Sequence, residues 1–460
     1  MMIRQTLLCL ICLFSLNQVV APVQAQEAVM QLNFHPPRIV VENGPMRLML
    51  IDGPPAMVEI PATQIEFVVN TDWDVFHDLT SDAWFILDEG VWLTSNMLTS
   101  GDWRAASELP RGFLTLQVSS DWPQVAAAIP LRAPGKPRDP ITISYEPTEL
   151  IIIDGEMELE AVGGAGLEYV SNTDSDLFRH DGQFYYLAAG RWFRTKDLKR
   201  KWFPVKELPR AFTEIPENHP RTRVLASVPG TAAAREAAAQ AAIPQKTEVV
   251  MGEGPGIQVP WFGEPSFVPI QSTTLFRGEN TPFQVIRHNN FHYLCHEGAW
   301  YASTNATGPW QAALEIPEAI YTIPATDPAF NVTFVKLESF DDSSGRAAYV
   351  STSGYYSRYY NGYTNTMVYG TGWYYPGYYR GSAYWRYPYT YGGFGHWGGY
   401  YPYYYHSSET IDVTRPEEKD WIWDLDGSKK RVYSYGPNNN SVGGRYYMPK
   451  SLNDKADGKE

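Results

Sequence analysis

The run HNNFHYLCH at 288–296 holds His288, His292, Cys295 and His296, residue types that ligate zinc or form a thiolate–imidazole nucleophile pair. Either chemistry requires the side chains to converge. On a helix the three histidines would share a face, but the segment reads as a strand: it is rich in aromatics and lies between the turn pairs Asn289-Asn290 and Glu297-Gly298. On a strand His292 and His296 stand ~13 Å apart along one face while Cys295 points to the other. Zinc ligands must approach the ion to ~2–2.3 Å, so this geometry fails. The reading is a buried Cys295 with solvated histidines, and no metal or cofactor is expected. No G-x-S-x-G elbow, H-E-x-x-H pair or phosphate-cradling glycine loop occurs in the chain, so it is read as non-catalytic.

The elements that position these residues repeat. WFILDEGVW, FYYLAAGRW and HYLCHEGAW align without gaps at Trp84, Phe184 and His292. Each copy is preceded by an Asn-Thr pair, at Asn70-Thr71, Asn172-Thr173 and Asn280-Thr281. Each then reaches a second tryptophan and a proline: Trp103 and Pro110, Trp202 and Pro209, Trp310 and Pro317. The first two copies also share a lead-in, PMRLMLIDG from Pro45 and PTELIIIDG from Pro147. Such spacing defines internal repeats. The alanine-rich, proline-stopped stretches Ser119–Pro130 and Pro229–Pro244 read as short helices. The fold class is therefore mainly β: three repeated antiparallel β-meander modules joined by short helices, followed by a Tyr/Gly-rich tail.

The predicted organisation is a signal peptide over 1–25, module 1 over 39–133, module 2 with its connecting helix over 140–245 and module 3 over 257–340. A Tyr/Gly-rich segment follows over 345–408, and a polar, loose C-terminal tail over 409–460 with a tether at WIWDLDG, 421–427. Arg4, the apolar run Leu7–Leu16 and small residues at Val23 and Ala25 read as a secretory leader cut after Ala25. That run is short of the ~20 residues a spanning helix needs, so no transmembrane segment is expected after signal removal. The expected location is periplasmic or secreted. Cys295 is the sole cysteine outside the leader, so no internal disulfide is available and stability must come from buried cores. A net charge of −14 disfavours nucleic acid. Between Tyr349 and Tyr405 lie 20 of the 31 tyrosines and no acidic residue, and MVYGTGWYYPGYY, 367–379, reads as one hairpin.

Pairing the third-copy strands about their two turns places Ile286, Phe291, Tyr293, Cys295, Trp300 and Ala302 on one face, with His288 at its edge. Arg287, His292, Leu294, His296 and Tyr301 fall on the other. The same register makes Trp92, Trp192 and Trp300 core residues. Trp103, Trp202 and Trp310, beside a turn, are expected to be partly exposed.

At FHYLCHEGAWYASTNATGPW the chain resembles the small β modules of carbohydrate-binding family V/XII, the chitin- and cellulose-binding type. FYYLAAGRWFR, ASVPGTAAAREAAAQAAIPQ, IYTIP, NVTFVK and MVYGTGW, over about residues 140–375, resemble uncharacterised exported bacterial proteins that often carry that family's name. The resemblance implies sugar binding by exposed rings at Tyr293, Trp300 and Trp310. The register buries the first two, which leaves Trp310 as the stacking ring, with Tyr301 and Trp202 added as further candidates. The expected function is a non-catalytic envelope protein that binds polysaccharide or peptidoglycan. The alternatives are an assembly protein whose Tyr/Gly-rich tail binds envelope proteins, and an unrecognised hydrolase.

Overall fold

The computed structural model describes residues 32–373, apart from short stretches of which the longest are 118–122 and 132–138, together with three short strands between 409 and 431. Residues 1–31, which include the expected signal peptide, and most of the residues after 373 lie outside the described residues, and so do Asn70 and Asn280. Within them the mainly β, repeated-meander architecture is present. Strands β1 (Arg38–Asn43) and β2 (Arg47–Leu50) lead into a first meander: β3 (Met57–Ile60), β4 (Ile65–Val68), β5 (Val75–Asp78), β6 (Ala83–Asp88), β7 (Val91–Ser95) and β8 (Arg104–Ala105). Strands β9 (Ile141–Ser144) and β10 (Thr148–Ile153) precede the second: β11 (Leu159–Val162), β12 (Leu167–Val170), β13 (Leu177–His180), β14 (Gln183–Ala188), β15 (Arg191–Thr195) and β16 (Phe203–Pro204). After β17 (Gln245–Val250) comes the third: β18 (Phe267–Pro269), β19 (Phe276–Gly278), β20 (Gln284–His288), β21 (Phe291–His296), β22 (Ala299–Ser303) and β23 (Gln311–Ala312). Each meander is a six-stranded sheet in chain order.

The turns that fix register are as the residue types require. Asn289 has φ 52°, and the pairs Ala189-Gly190 and Glu297-Gly298 both adopt positive φ, the geometry of a tight hairpin turn. Pairing of Ile286 with Tyr293 and of Cys295 with Trp300 gives the face assignment read from the sequence. Of the expected helices, Ala232–Ala241 forms, capped by the Thr231 hydroxyl accepting from the Ala234 N–H. The earlier one is confined to Pro123–Ala127, and residues 119–122 lie outside the described residues.

One face of each meander is closed by the chain that follows it. In the first, Phe76, Phe85 and Trp92 pack with Phe113, and in the second Phe178, Tyr185 and Trp192 pack with Phe212. Trp92 lies 5.1 Å from Phe113 and Trp192 lies 4.9 Å from Phe212, both edge-on, the arrangement the ring quadrupoles favour. The three first tryptophans are 1%, 6% and 0% exposed, which bears out their core assignment.

The opposite face is covered by the lead-in strands. β1 pairs with β10 and β2 with β9, both in parallel. By the sequence alignment β9 is the counterpart of β1 and β10 of β2, so the two lead-ins exchange partners as if related by a two-fold axis. Met49, Ile51 and Ile141 seal the first meander, and Val41, Ile151 and Ile153 the second. Beneath these strands lies a buried Arg47–Asp88 ion pair, and Glu149 occupies the position equivalent to Arg47. The third meander is closed instead by a sheet of β17, β25 (Arg346–Ser351) and β24 (Val335–Asp341).

The Tyr/Gly-rich segment begins inside that sheet and continues as a hairpin, β26 (Arg358–Asn361) and β27 (Thr366–Tyr369). This hairpin lies ahead of the one expected over 367–379, whose end falls outside the described residues. Met367 and Tyr369 join the second meander's core, whereas Tyr359 and Val368 join the third's. Alternation along two short strands thus ties two modules together. Trp421–Asp424, inside the expected tether, is the middle strand of a three-stranded antiparallel sheet. Among the described residues no helix is long and apolar enough to cross a membrane.

Candidate functional site

The sugar-stacking rings proposed from the sequence are not on the surface. Trp310 is 6% exposed, Tyr301 6% and Trp202 3%, and the counterpart Trp103 is 8% exposed. The expectation of partial exposure is corrected for all of them. The physical reason lies in the second face of each sheet: these rings fill the space between the meander and the strands that cover it, a layer invisible in the pattern of one module. Trp103 packs with Met49 and Ile51, and Trp202 meets Tyr186 with ring centres 6.1 Å apart. Burial pushes the Tyr301 hydroxyl up to about 12. Tyr293 at 8% and Trp300 at 0% are also inside.

The Cys/His cluster is likewise drawn apart by the strand. Cys295 is 1% exposed, and burial pushes its thiol well up, with a partial offset from a hydrogen bond to Tyr355; a thiol so held is a poor nucleophile. The expectation of solvated histidines is corrected as well. His288, His292 and His296 are half-buried; His296 packs on Phe283 at 5.5 Å, and burial lowers the pKa of both His292 and His296.

What the three meanders do present in common is a row of side chains across their strands, at the open end of the second face. In the first module Glu66, His77, Trp84 and Ser95 are consecutive cross-strand partners. The second has Glu168, Arg179, Phe184 and Thr195 at these places, and the third has Phe276, Arg287, His292 and Ser303. In every copy the first three are half-buried and the hydroxyl residue is buried. Cross-strand partners share a face, so each row juxtaposes a basic side chain with a ring.

The rows differ in how the central basic side chain is held. His77 stacks on Trp84 at 4.4 Å with the planes 21° apart, and its ring nitrogens lie 3.5 Å from Glu66 and 2.9 Å from Asp82. Arg179 donates to Glu168 through Nε at 2.8 Å and Nη2 at 2.7 Å. Arg287 has Phe276 where the other copies have a glutamate, and its guanidinium carbon lies 4.5 Å from the Phe276 centroid and 4.8 Å from that of Phe267. His292 lies 5.2 Å from Phe267, and its lowered pKa comes first from burial and then from Arg287. The hydroxyl end has a structural role in all three copies, accepting from the N–H of Met97, Asp197 or Asn305.

Sequence reasoning placed Arg287 and His292 on one face but did not single out the row, because its signal is the alternation of each strand compared across copies. A flat ring beside a fixed donor fork is suited to stacking on a sugar while hydrogen-bonding its hydroxyls. No family model, no curated protein and no solved structure matches the chain.

Proposed function

We propose that this is a non-catalytic, exported envelope protein whose modules bind polysaccharide or peptidoglycan through the cation–ring rows. The observation that carries the reading is the threefold recurrence of a half-buried row built from different residues: Trp84 beside His77, Phe184 beside Arg179, and Phe276 beside Arg287. A row kept only for packing has no need of charged centres at its open end, whereas weak sites repeated along one chain gain avidity on a repeating polymer. This reading moves the contact from Trp310, Tyr301 and Trp202 to the rows.

Co-sedimentation of the mature chain with chitin, cellulose and purified cell wall tests it. Binding to at least one of these is expected, and it should fall stepwise as Trp84→Ala, Phe184→Ala and Phe276→Ala are combined. Retained binding in a folded triple variant removes the rows from the function; failure to bind any of the three polymers removes the function itself.

A second reading, attachment to a partner protein through the Tyr/Gly-rich segment, is favoured by Tyr363, between the two strands of that segment's hairpin, and Trp373, just beyond it, which are 78% and 43% exposed. A chain ending after Trp373 that loses envelope proteins from a cross-linked preparation while keeping polymer binding supports it.

A further inference from the structure

We propose that the third module's row is a carboxylate-recognition site, so that the ligand it takes is an acidic glycan. This inference rests on the glycan-binding reading above and narrows it for one module. It comes from comparing equivalent positions. In the first and second rows the central basic side chain faces one of the chain's own carboxylates on the neighbouring strand, Glu66 at 3.5 Å from the His77 ring and Glu168 at 2.7 Å from Arg179. In the third, the strand position that supplies this carboxylate is Phe276. Among the described residues no carboxylate lies within ion-pairing distance of Arg287. Its other neighbours are rings, Phe267 and Phe276 at 4.8 and 4.5 Å from the guanidinium carbon.

Two aromatic rings hold the guanidinium without satisfying its donors. Stacking fixes the plane of the fork and leaves its N–H edge for an acceptor in that plane, which a carboxylate fills with two parallel hydrogen bonds. The Arg179–Glu168 pair shows a carboxylate on a guanidinium edge within the chain, with Nε and Nη2 both converging on Oε2. His292, adjacent on the next strand, has its Nδ1 buried without a hydrogen-bond partner. The nearest cation on the neighbouring strand, Arg277, pairs with Ile286 rather than Arg287 in the sheet and faces Asp327 at 3.4 Å, so it leaves Arg287 as the charge of this row. The chain's net charge of −14 opposes a polyanion at long range, but at physiological salt that repulsion is screened beyond ~8 Å and a contact ion pair is not.

The test uses the mature chain and three probes: polygalacturonate, the same polymer with its carboxyls reduced to primary alcohols, and purified peptidoglycan. Retardation in affinity gels at about 0.15 M salt reads the binding. Tighter binding to polygalacturonate or peptidoglycan than to the reduced polymer is expected, with a roughly tenfold loss on the preferred acidic probe in Arg287→Gln, and little change in Arg210→Gln, which removes an exposed arginine outside the rows that faces Glu214 at 3.8 Å. Which acidic probe is preferred separates a uronate from the carboxylates of the cell wall. Equal binding to the native and reduced polymers, with peptidoglycan binding unmoved by Arg287→Gln, overturns the inference and leaves glycan binding standing. Absence of binding to all three probes and to chitin and cellulose overturns both. Because carboxyl reduction alters the probe and leaves the protein intact, misfolding of a variant cannot imitate its effect.

Discussion

The Trp192 indole, buried in the second module's core, donates its N–H to the Ser227 carbonyl at 2.7 Å. Trp92 makes the same bond to Ala128 at 3.1 Å and Trp300 to Val335 at 2.9 Å. In each copy the strand after the hairpin is thus fastened to the chain that returns beneath the sheet. The ring supplies apolar burial and its polar edge is satisfied, which is the condition for placing an indole in a core.

Replacing Trp192 with Ala removes both contributions and should destabilise the second module by ~3–5 kcal/mol. Trp192→Phe keeps most of the apolar contact but orphans the Ser227 carbonyl, for a smaller loss of ~1–3 kcal/mol. Urea unfolding followed by tryptophan fluorescence should rank the two in that order, and equal midpoints for both variants and wild type would contradict the core role.

Trp310→Ala should act on the fold before it acts on any ligand. At 6% exposure the ring belongs to the third module's core, so the expected cost is again ~3–5 kcal/mol. A variant with unchanged thermal stability and lost polymer binding would restore the surface reading of this residue.

At Gly190 a side chain has no room. The residue has φ +77°, and a Cβ placed there would lie 2.3 Å from the Met367 carbonyl oxygen, in the hairpin that docks on the second module. Gly90, its counterpart, has φ +85° and nothing within 4 Å. Gly190→Ala should therefore loosen the β26–β27 hairpin and expose it to protease, whereas Gly90→Ala carries the backbone strain alone. Limited proteolysis read by mass spectrometry distinguishes them; equal cleavage after Gly345 in both variants would mean that the contact does not hold the hairpin.

Glu149 gives the chain a pH dependence of known sign. Burial raises its carboxyl to about 8 against the partial offset of the Tyr186 hydroxyl, which donates at 2.8 Å, while Oε1 has no hydrogen-bond partner. The folded state therefore holds a proton that the unfolded state, with an ordinary carboxyl near 4.5, gives up. Its contribution to stability is complete below about pH 4.5 and is lost as the pH rises toward 8, by an amount on the order of a few kcal/mol. Glu149→Gln should flatten that decline and be the more stable protein at pH 8–9, as measured by urea midpoints across the range. A wild-type midpoint that does not fall between these pH values argues against a protonated Glu149.

The meanders were legible in the sequence because strand alternation and turn chemistry are local. Asn289-Asn290 and Glu297-Gly298 set the hairpins, a period of two set the faces, and the faces put Trp92, Trp192, Trp300 and Cys295 inside. What lies over the second face is a non-local matter. Parallel pairing of β1 with β10 joins residues about a hundred positions apart, and nothing in either strand's own pattern names its partner. That covering layer decided that Trp103, Trp202, Trp310 and Tyr301 are buried, since a ring beside a turn is exposed or enclosed according to what packs on it. It decided equally that Trp84, Phe184 and Arg287, on the same faces, stay half-buried. Residue types and spacing determined the sheets, their register and their inner faces. The tertiary structure alone determined which outer faces meet solvent, since burial there belongs to pairs of segments that are distant in the chain.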